Sequence, residues 1–248
     1  MRRFFFCLWY APIFAVFTIL TGLVCLTLSF ISKKFTRRIT SQGWAHVVLD
    51  PAFIKVKVTG QEHLPDPQSG GYIIFANHRS LLDIPTVAVA TGRSISWVAK
   101  AALGRLPVFG WTLKRVHLLV DRGGSPEAAK QMVTEATVRL NKGEIMAIFP
   151  EGTRNKTVTP ILPFKKGAFI LAKHTGVPLI PLAIYNSGAL WPSGSLIPKS
   201  GTIKVAIGPP IVTSAKEPLT KITKLAEKTL SELYHSLEAI DPPKQAAQ

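Results

Sequence analysis

The amino-acid sequence predicts an α/β fold: a mainly parallel sheet flanked by helices, behind an N-terminal membrane-anchor helical segment. Three observations carry that expectation. The chain has 248 residues and is 47% hydrophobic, enough for one large α/β domain and a small extra element. Past residue 50, short apolar runs alternate with helix-patterned stretches, the order that builds parallel sheets. Ahead of them, from Phe4 to Ser32, lies a run with no charge at all. The expected division is an anchor with an interfacial helix over 1–50, an α/β domain over 51–240 and a flexible tail over 241–248.

Taken in order, the anchor comes first. Arg2 and Arg3 stand before the uncharged run, and Lys33, Lys34, Arg37 and Arg38 stand after it. As a helix of about 28 residues it would be about 42 Å long, more than the ~30 Å hydrocarbon core of a bilayer. Pro12 starts or kinks it, and Trp9 and Tyr10 suit a membrane interface. The run is too long for a signal peptide and lacks a small-x-small cleavage site. Basic flanks at both ends fit a spanning helix, and equally a kinked anchor in one leaflet. Cys7 and Cys25 both lie here, about 27 Å apart along a helix and too far for a disulfide. The remainder has no cysteine, which fits a reducing, cytosol-facing domain.

Next, "FTRRITSQGWAHVVL" reads as a short amphipathic helix with Trp44 at the interface. "FIKVKVTG" alternates as a half-exposed edge strand does. Six further strands are expected at 72–76, 94–99, 116–120, 145–149, 179–185 and 202–208. A helix is expected from Ser125, with Pro126 and Glu127 in its first turn and Gly143 as its stop. "FKKGAFILAKHTG" is a shorter helix ending at Gly176. A last amphipathic helix presents Ile222, Leu225, Leu230, Leu233 and Leu237.

Net charge is +16 and the sequence pI about 10.1. Such a balance implies an anionic partner: nucleic acid, an anionic membrane or phosphorylated substrates. The basic residues past the anchor are interleaved with strands and helices, and no array of stacking aromatics accompanies them. That counts against nucleic acid.

The chemistry gathers after four strands. "YIIFA" runs into "NHRSLLD", "SISWVA" into Lys100, "VHLLV" into "DRGG" and "IMAIF" into "PEGTRN". If these strands are parallel, all four loops lie beyond the carboxyl edge, where open α/β sheets bind ligands. The gathered groups are His78, Asp83, Lys100, Arg122, Glu151 and Arg154, with close backbone approach allowed at Gly123, Gly124 and Gly152. One base, a carboxylate to orient it and several cations suit transfer chemistry on an anionic substrate. Bland readings stand beside these. Asp83 would also serve as a helix cap before Pro85. Arg122 and Arg154 would also pass as surface arginines, and Glu151 would pair with one of them or meet a substrate hydroxyl. His46/Asp50 and His117/Asp121 read as structural, His174 as a helix C-terminal residue, and His63 and His235 as surface. No G-x-S-x-G, H-E-x-x-H, P-loop or G-x-G-x-x-G is present.

These residues resemble the PlsC-type glycerophospholipid acyltransferases, in particular bacterial 1-acyl-sn-glycerol-3-phosphate acyltransferases. "NHRSLLD" is similar to that family's first block. "KAALGRLPVFGW" with Asp121 and Arg122 is similar to its second, "FPEGTRN" to its third and "GVPLIPLAI" to its fourth. The blocks stand in the family's order across roughly residues 54 to 212, and "FPEGTR" is the most specific. The resemblance implies the glycerolipid acyltransferase fold, with His78 as general base and Asp83 orienting it. It implies an acceptor site made by Glu151, Gly152, Thr153 and Arg154, with Arg122 and Lys100 as further phosphate contacts. The implied partners are lysophosphatidic acid, acyl-ACP or acyl-CoA as co-substrate, anionic membrane lipids and acyl carrier protein, with no nucleic acid, metal or cofactor. The implied place is the bacterial cytoplasmic membrane, with the catalytic domain facing the cytoplasm. Other acceptors (another lysophospholipid, a lyso-ornithine lipid or glycerol-3-phosphate) and a non-enzymatic, basic, membrane-tethered binding module are the alternatives.

Overall fold

The structure, a computed structural model, describes residues 8–9, 11–106, 108–120 and 126–240. Its centre is a seven-stranded sheet in the order β1-β7-β6-β2-β5-β3-β4. The strands are β1 (Ile54–Thr59), β2 (Tyr72–Ala76), β3 (Ile95–Lys100), β4 (Leu118–Val120), β5 (Ile145–Ile148), β6 (Leu179–Tyr185) and β7 (Gly201–Ile207). Every pairing is parallel except β6 with β7. Central β2 and β6 are buried along their whole length, as strands covered by helices on both faces must be. Edge strand β1 keeps the expected alternation.

Alternating side chains divide the core in two. Tyr72, Ile74, Ala76, Ala147, Ile180, Leu182 and Val205 point to one face, where they meet Val48, Leu49, Leu82, Val87 and Ala90. Ile73, Phe75, Met146, Leu179 and Ala183 point to the other, where Ala136, Leu140, Phe169, Ala172, Ala226 and Leu230 cover them. The helices are α1 (Ala11–Ile31), α2 (Lys33–Arg38), α3 (Trp44–Leu49), α4 (Asp83–Thr91), α5 (Phe109–Val116), α6 (Pro126–Asn141), α7 (Gly167–Thr175), α8 (Ser187–Leu190) and α9 (Leu219–Ile240); α3, α4 and α8 supply the first layer and α6, α7 and α9 the second. Gly143 and Gly176 stop α6 and α7 at positive φ, as the sequence predicts. Ser125, Cys7, Tyr10, Asp121, Arg122, Gly123, Gly124 and the 241–248 tail lie outside the described residues.

Four local expectations are corrected. The stretch expected as an interfacial helix is two short helices, α2 and α3, joined by a wide π turn over Ile39–Gly43. The segment lies against α4, where Gln42 Nε2 donates to Ala88 O at 2.7 Å. Ala45, Val48 and Leu49 are buried, so this segment packs with the α/β body although it falls within the expected anchor, 1–50. The second correction is α5, which takes Val116, read as the start of "VHLLV", so that β4 begins at Leu118. Gly110 makes this possible: a Cβ there would come within 2.7 Å of the Gly104 carbonyl. Third, α9 buries Ile222, Ala226, Leu230, Tyr234 and Leu237, while Leu225 is 44% exposed. A nearly constant step of four selects this stripe, and Tyr234 packs edge-on against Tyr185, ring centroids 5.5 Å apart. Fourth, His63, expected at the surface, is half-buried and its Nδ1 bonds Ile207 O at 2.7 Å.

The structural readings of the other histidines agree with their surroundings. His46 meets Asp50 on the exposed side of α3. His117 is buried, accepts a hydrogen bond from Trp97 N at 3.2 Å on Nδ1, and is pushed down to about 3 by burial and then by Arg37 and Arg139.

Candidate active site

Because β2, β5, β3 and β4 are parallel neighbours, their carboxyl ends share one edge of the sheet. His78 is the second residue beyond β2 and Phe149 the first beyond β5. Continuing each strand's alternation puts both on the face that carries α3 and α4. Asn77 locks the exit of β2 to β6, its side chain donating to Ile184 O and accepting from Ile184 N, both at 2.8 Å.

Beyond Asn77 the loop turns back on itself. Asp83 opens α4 and is fully buried. Its Oδ2 accepts three hydrogen bonds: from His78 Nδ1 at 2.8 Å, Arg79 N at 2.7 Å and Ser80 N at 2.7 Å. Both backbone donors precede Asp83, so the carboxylate secures the turn that brings His78 to it. The carboxylate makes no capping hydrogen bond to the first turn of α4, so the helix-cap reading of Asp83 is corrected: its bonds go to His78 and the turn before it. Since Oδ2 can only accept from the ring, Nδ1 carries the hydrogen and Nε2 keeps a free lone pair. The imidazole lies flat on Phe149, centroids 4.1 Å apart and 12° between planes.

The loop after β5 is fastened to this turn at three points. Glu151, 3% exposed, accepts from His78 N at 2.6 Å and from Leu162 N at 2.9 Å, one on each oxygen. Asn155 N donates to His78 O at 2.7 Å. Arg79 turns to the other side of the loop, where its guanidinium donates to the carbonyls of Thr157 at 2.9 Å and Thr159 at 2.7 Å. Glu151, expected to pair with an arginine or meet a substrate hydroxyl, instead braces two loops through backbone N–H groups. Gly152 sits at φ +71°, and a Cβ there would meet the Lys165 side chain at 2.7 Å. The stem of Lys165 therefore lies across the glycine.

Of the expected cations, Arg154 is half-buried in this fastened loop, and its guanidinium has no hydrogen bond or ion pair among the described residues. Lys100 ends β3 and is exposed, as is Thr153. The Arg122 expectation lies outside the described residues. Phe149, Arg79 and Lys165 are residues that the sequence reading does not single out. Arg79 stands inside the "NHRSLLD" heptad and Phe149 opens "FPEGTRN", so the two motifs themselves are the signal that could have found them. Lys165 carries no local signal, because its place depends on the chain returning across Gly152. A separate cleft of about 760 Å³, lined by Arg79, Lys156, Tyr185, Asn186, Tyr234 and Glu238 among others, does not include His78 or Arg154. The hydrogen-bonded imidazole and carboxylate lie outside that cleft.

A buried carboxylate holding a histidine at the carboxyl edge of an α/β sheet is an arrangement suited to acid–base chemistry. The Acyltransferase family matches residues 55–185, and the chain belongs to that family. It is 31% identical to the 1-acyl-sn-glycerol-3-phosphate acyltransferase of Pseudomonas aeruginosa, over 76% of this chain and 72% of that one. It is 30% identical to the chloroplastic 1-acyl-sn-glycerol-3-phosphate acyltransferase LPAT1 of Arabidopsis thaliana, over 85% of this chain and 59% of that one. The chain spans about half to three fifths of the length of its chloroplastic relatives from Brassica napus and Arabidopsis thaliana, 49% and 59%. The crystal structure of the 1-acyl-sn-glycerophosphate acyltransferase PlsC from Thermotoga maritima superposes with a TM-score of 0.79 at 25% identity, covering 96% of this chain and 98% of that one. The expected fold and the expected family both hold.

Proposed function

We propose that this protein transfers a fatty acyl group from acyl-ACP or acyl-CoA to the sn-2 hydroxyl of 1-acyl-sn-glycerol-3-phosphate, giving phosphatidic acid. The observation that carries the reading is the 2.8 Å contact of His78 Nδ1 with Asp83 Oδ2, which leaves Nε2 ready to accept a proton. In this mechanism Nε2 takes the hydroxyl proton as the oxygen attacks the thioester carbonyl. Asp83 stabilises the imidazolium that forms. The tetrahedral intermediate collapses, the C–S bond breaks, and the departing thiolate takes the proton from the imidazolium. The histidine is thereby regenerated without an acyl-enzyme, and the thioester is the only co-substrate needed.

Arg154 has a guanidinium without a partner among the described residues, and the Asn155 contact holds its loop beside His78. In this reading it binds the acceptor phosphate. Gly152 and Thr153 shape the same loop, Lys100 and Arg122 are outer phosphate contacts, and Glu151 acts by positioning. The membrane belongs to the reading too. Helix α1 is 21 residues, long and apolar enough to cross a bilayer, and its basic flanks suit an anionic, cytoplasm-facing leaflet. The test is turnover of lysophosphatidic acid with a ladder of acyl-ACP and acyl-CoA donors. His78→Ala is expected to lower kcat by at least about 1,000-fold, with circular dichroism unchanged. Retained turnover removes His78 from the chemistry.

A further inference from the structure

His78 is held at one edge by Asp83 and on one face by Phe149. The two rings lie 4.1 Å apart and are nearly parallel. A cation over an aromatic face within about 6 Å is attracted by the ring quadrupole, whereas a neutral ring gains much less. The stack therefore favours the histidine after it has taken the proton over the histidine before. An interaction that strengthens along the reaction accelerates it, while one made equally throughout does not. Behind Phe149, the Trp97 ring stacks at 5.8 Å and 22°, and Trp97 is only 9% exposed.

We infer that Phe149 is a positioning residue that stabilises the imidazolium of His78 as it forms, and that Trp97 holds Phe149 in place. The register explains how the ladder arises. Tyr72 and Ile74 of β2 lie beside Ile145 and Ala147 of β5, and Trp97 of β3 lies beside Ala147. Extending that register past the strand ends brings Phe149 between the exits of β2 and β3, on the His78 face. The inference rests on His78 being the base.

Fluorinated phenylalanines at position 149 test it, because they keep the ring's shape while draining the negative charge from its face. From one fluorine to five, kcat is expected to fall stepwise, by on the order of 10-fold at the end of the series. KM for lysophosphatidic acid is expected to stay within about twofold, since the stack acts mainly after proton transfer. Phe149→Tyr and Phe149→Trp retain kcat, and Phe149→Leu loses it. A flat fluorine series, or a Leu variant with full kcat, overturns the inference. If His78→Ala is inactive while the fluorine series is flat, only the stack proposal falls. If His78→Ala keeps turnover, the base reading falls and takes the stack with it.

Discussion

Glu151 is a buried carboxylate whose hydrogen bonds come from two backbone N–H groups. Burial pushes it up to about 7, although the N–H groups of His78 and Leu162 pull the other way; Asp83 adds to the rise and Arg79 opposes it. A carboxyl raised in the folded state binds its proton more tightly there than in the unfolded chain. Its contribution to stability is complete below the unfolded value of 4.5 and is lost as pH climbs through about 7. Wild type should therefore lose stability relative to Glu151→Gln between about pH 5 and about pH 7.5, by at most about 1.4 kcal/mol per pH unit. Urea titrations across that range measure it, and parallel curves for the two proteins count against a shifted Glu151. The site is partly legible in the sequence for a clear reason. His78, Glu151 and Arg154 sit in loops that follow strands and Asp83 in the first turn of the helix after one, and parallel strands bring such segments together. The tasks of these residues are less legible. Whether Glu151 meets a substrate or two backbone amides depends on the path of the returning chain at Leu162, which no local pattern encodes.

Elements are legible in the sequence wherever a local signal decides them, an unbroken apolar run for β2 and β6 and glycine stops for α6 and α7. They are not where tertiary contact overrides local pattern. Helix α5 forms where it does because Gly104 and Gly110 let it lie against the preceding turn. The α2–α3 segment looks like a surface helix in sequence, yet it carries Arg37 into the interior. There Arg37 meets Glu144 at 2.8 Å, with side chains 7% and 18% exposed. Removing one partner of such a pair strands the other charge, at a cost of about 3–5 kcal/mol. Arg37→Ala and Glu144→Ala should each lower the denaturation midpoint. The double change Arg37→Ala, Glu144→Ala should cost clearly less than the two single changes summed. Additive losses in the double-variant cycle would mean that the pair is not coupled.

At the scale of the whole molecule, α1 shows one side to the protein and the other to its surroundings. Thr112 Oγ1 donates to Gly22 O at 3.2 Å. Arg115 Nε donates to Ser29 Oγ at 2.7 Å, and the same guanidinium lies 3.7 Å over the Phe30 ring. Val16, Phe17, Leu20 and Val24 are about half exposed. A charge at the centre of a bilayer costs about 2.5–3.5 kcal/mol even on the most permissive scale. Leu20→Arg with Val24→Arg should therefore lower co-flotation with anionic vesicles by at least about tenfold, while the melting of the α/β body is unchanged. Equal flotation would show that this side of α1 does not meet lipid. The sheet order carries a different consequence, one of timing. Strand β7 stands between β1 and β6, so Ile54 waits for Gly201 to find its neighbour. During synthesis β1 emerges early and remains an open edge until nearly the whole chain has left the ribosome. Such late, long-range closure slows folding and leaves an unpaired edge open to aggregation, and the alternating lysines Lys55 and Lys57 on β1 are the kind of charge that keeps a waiting edge soluble.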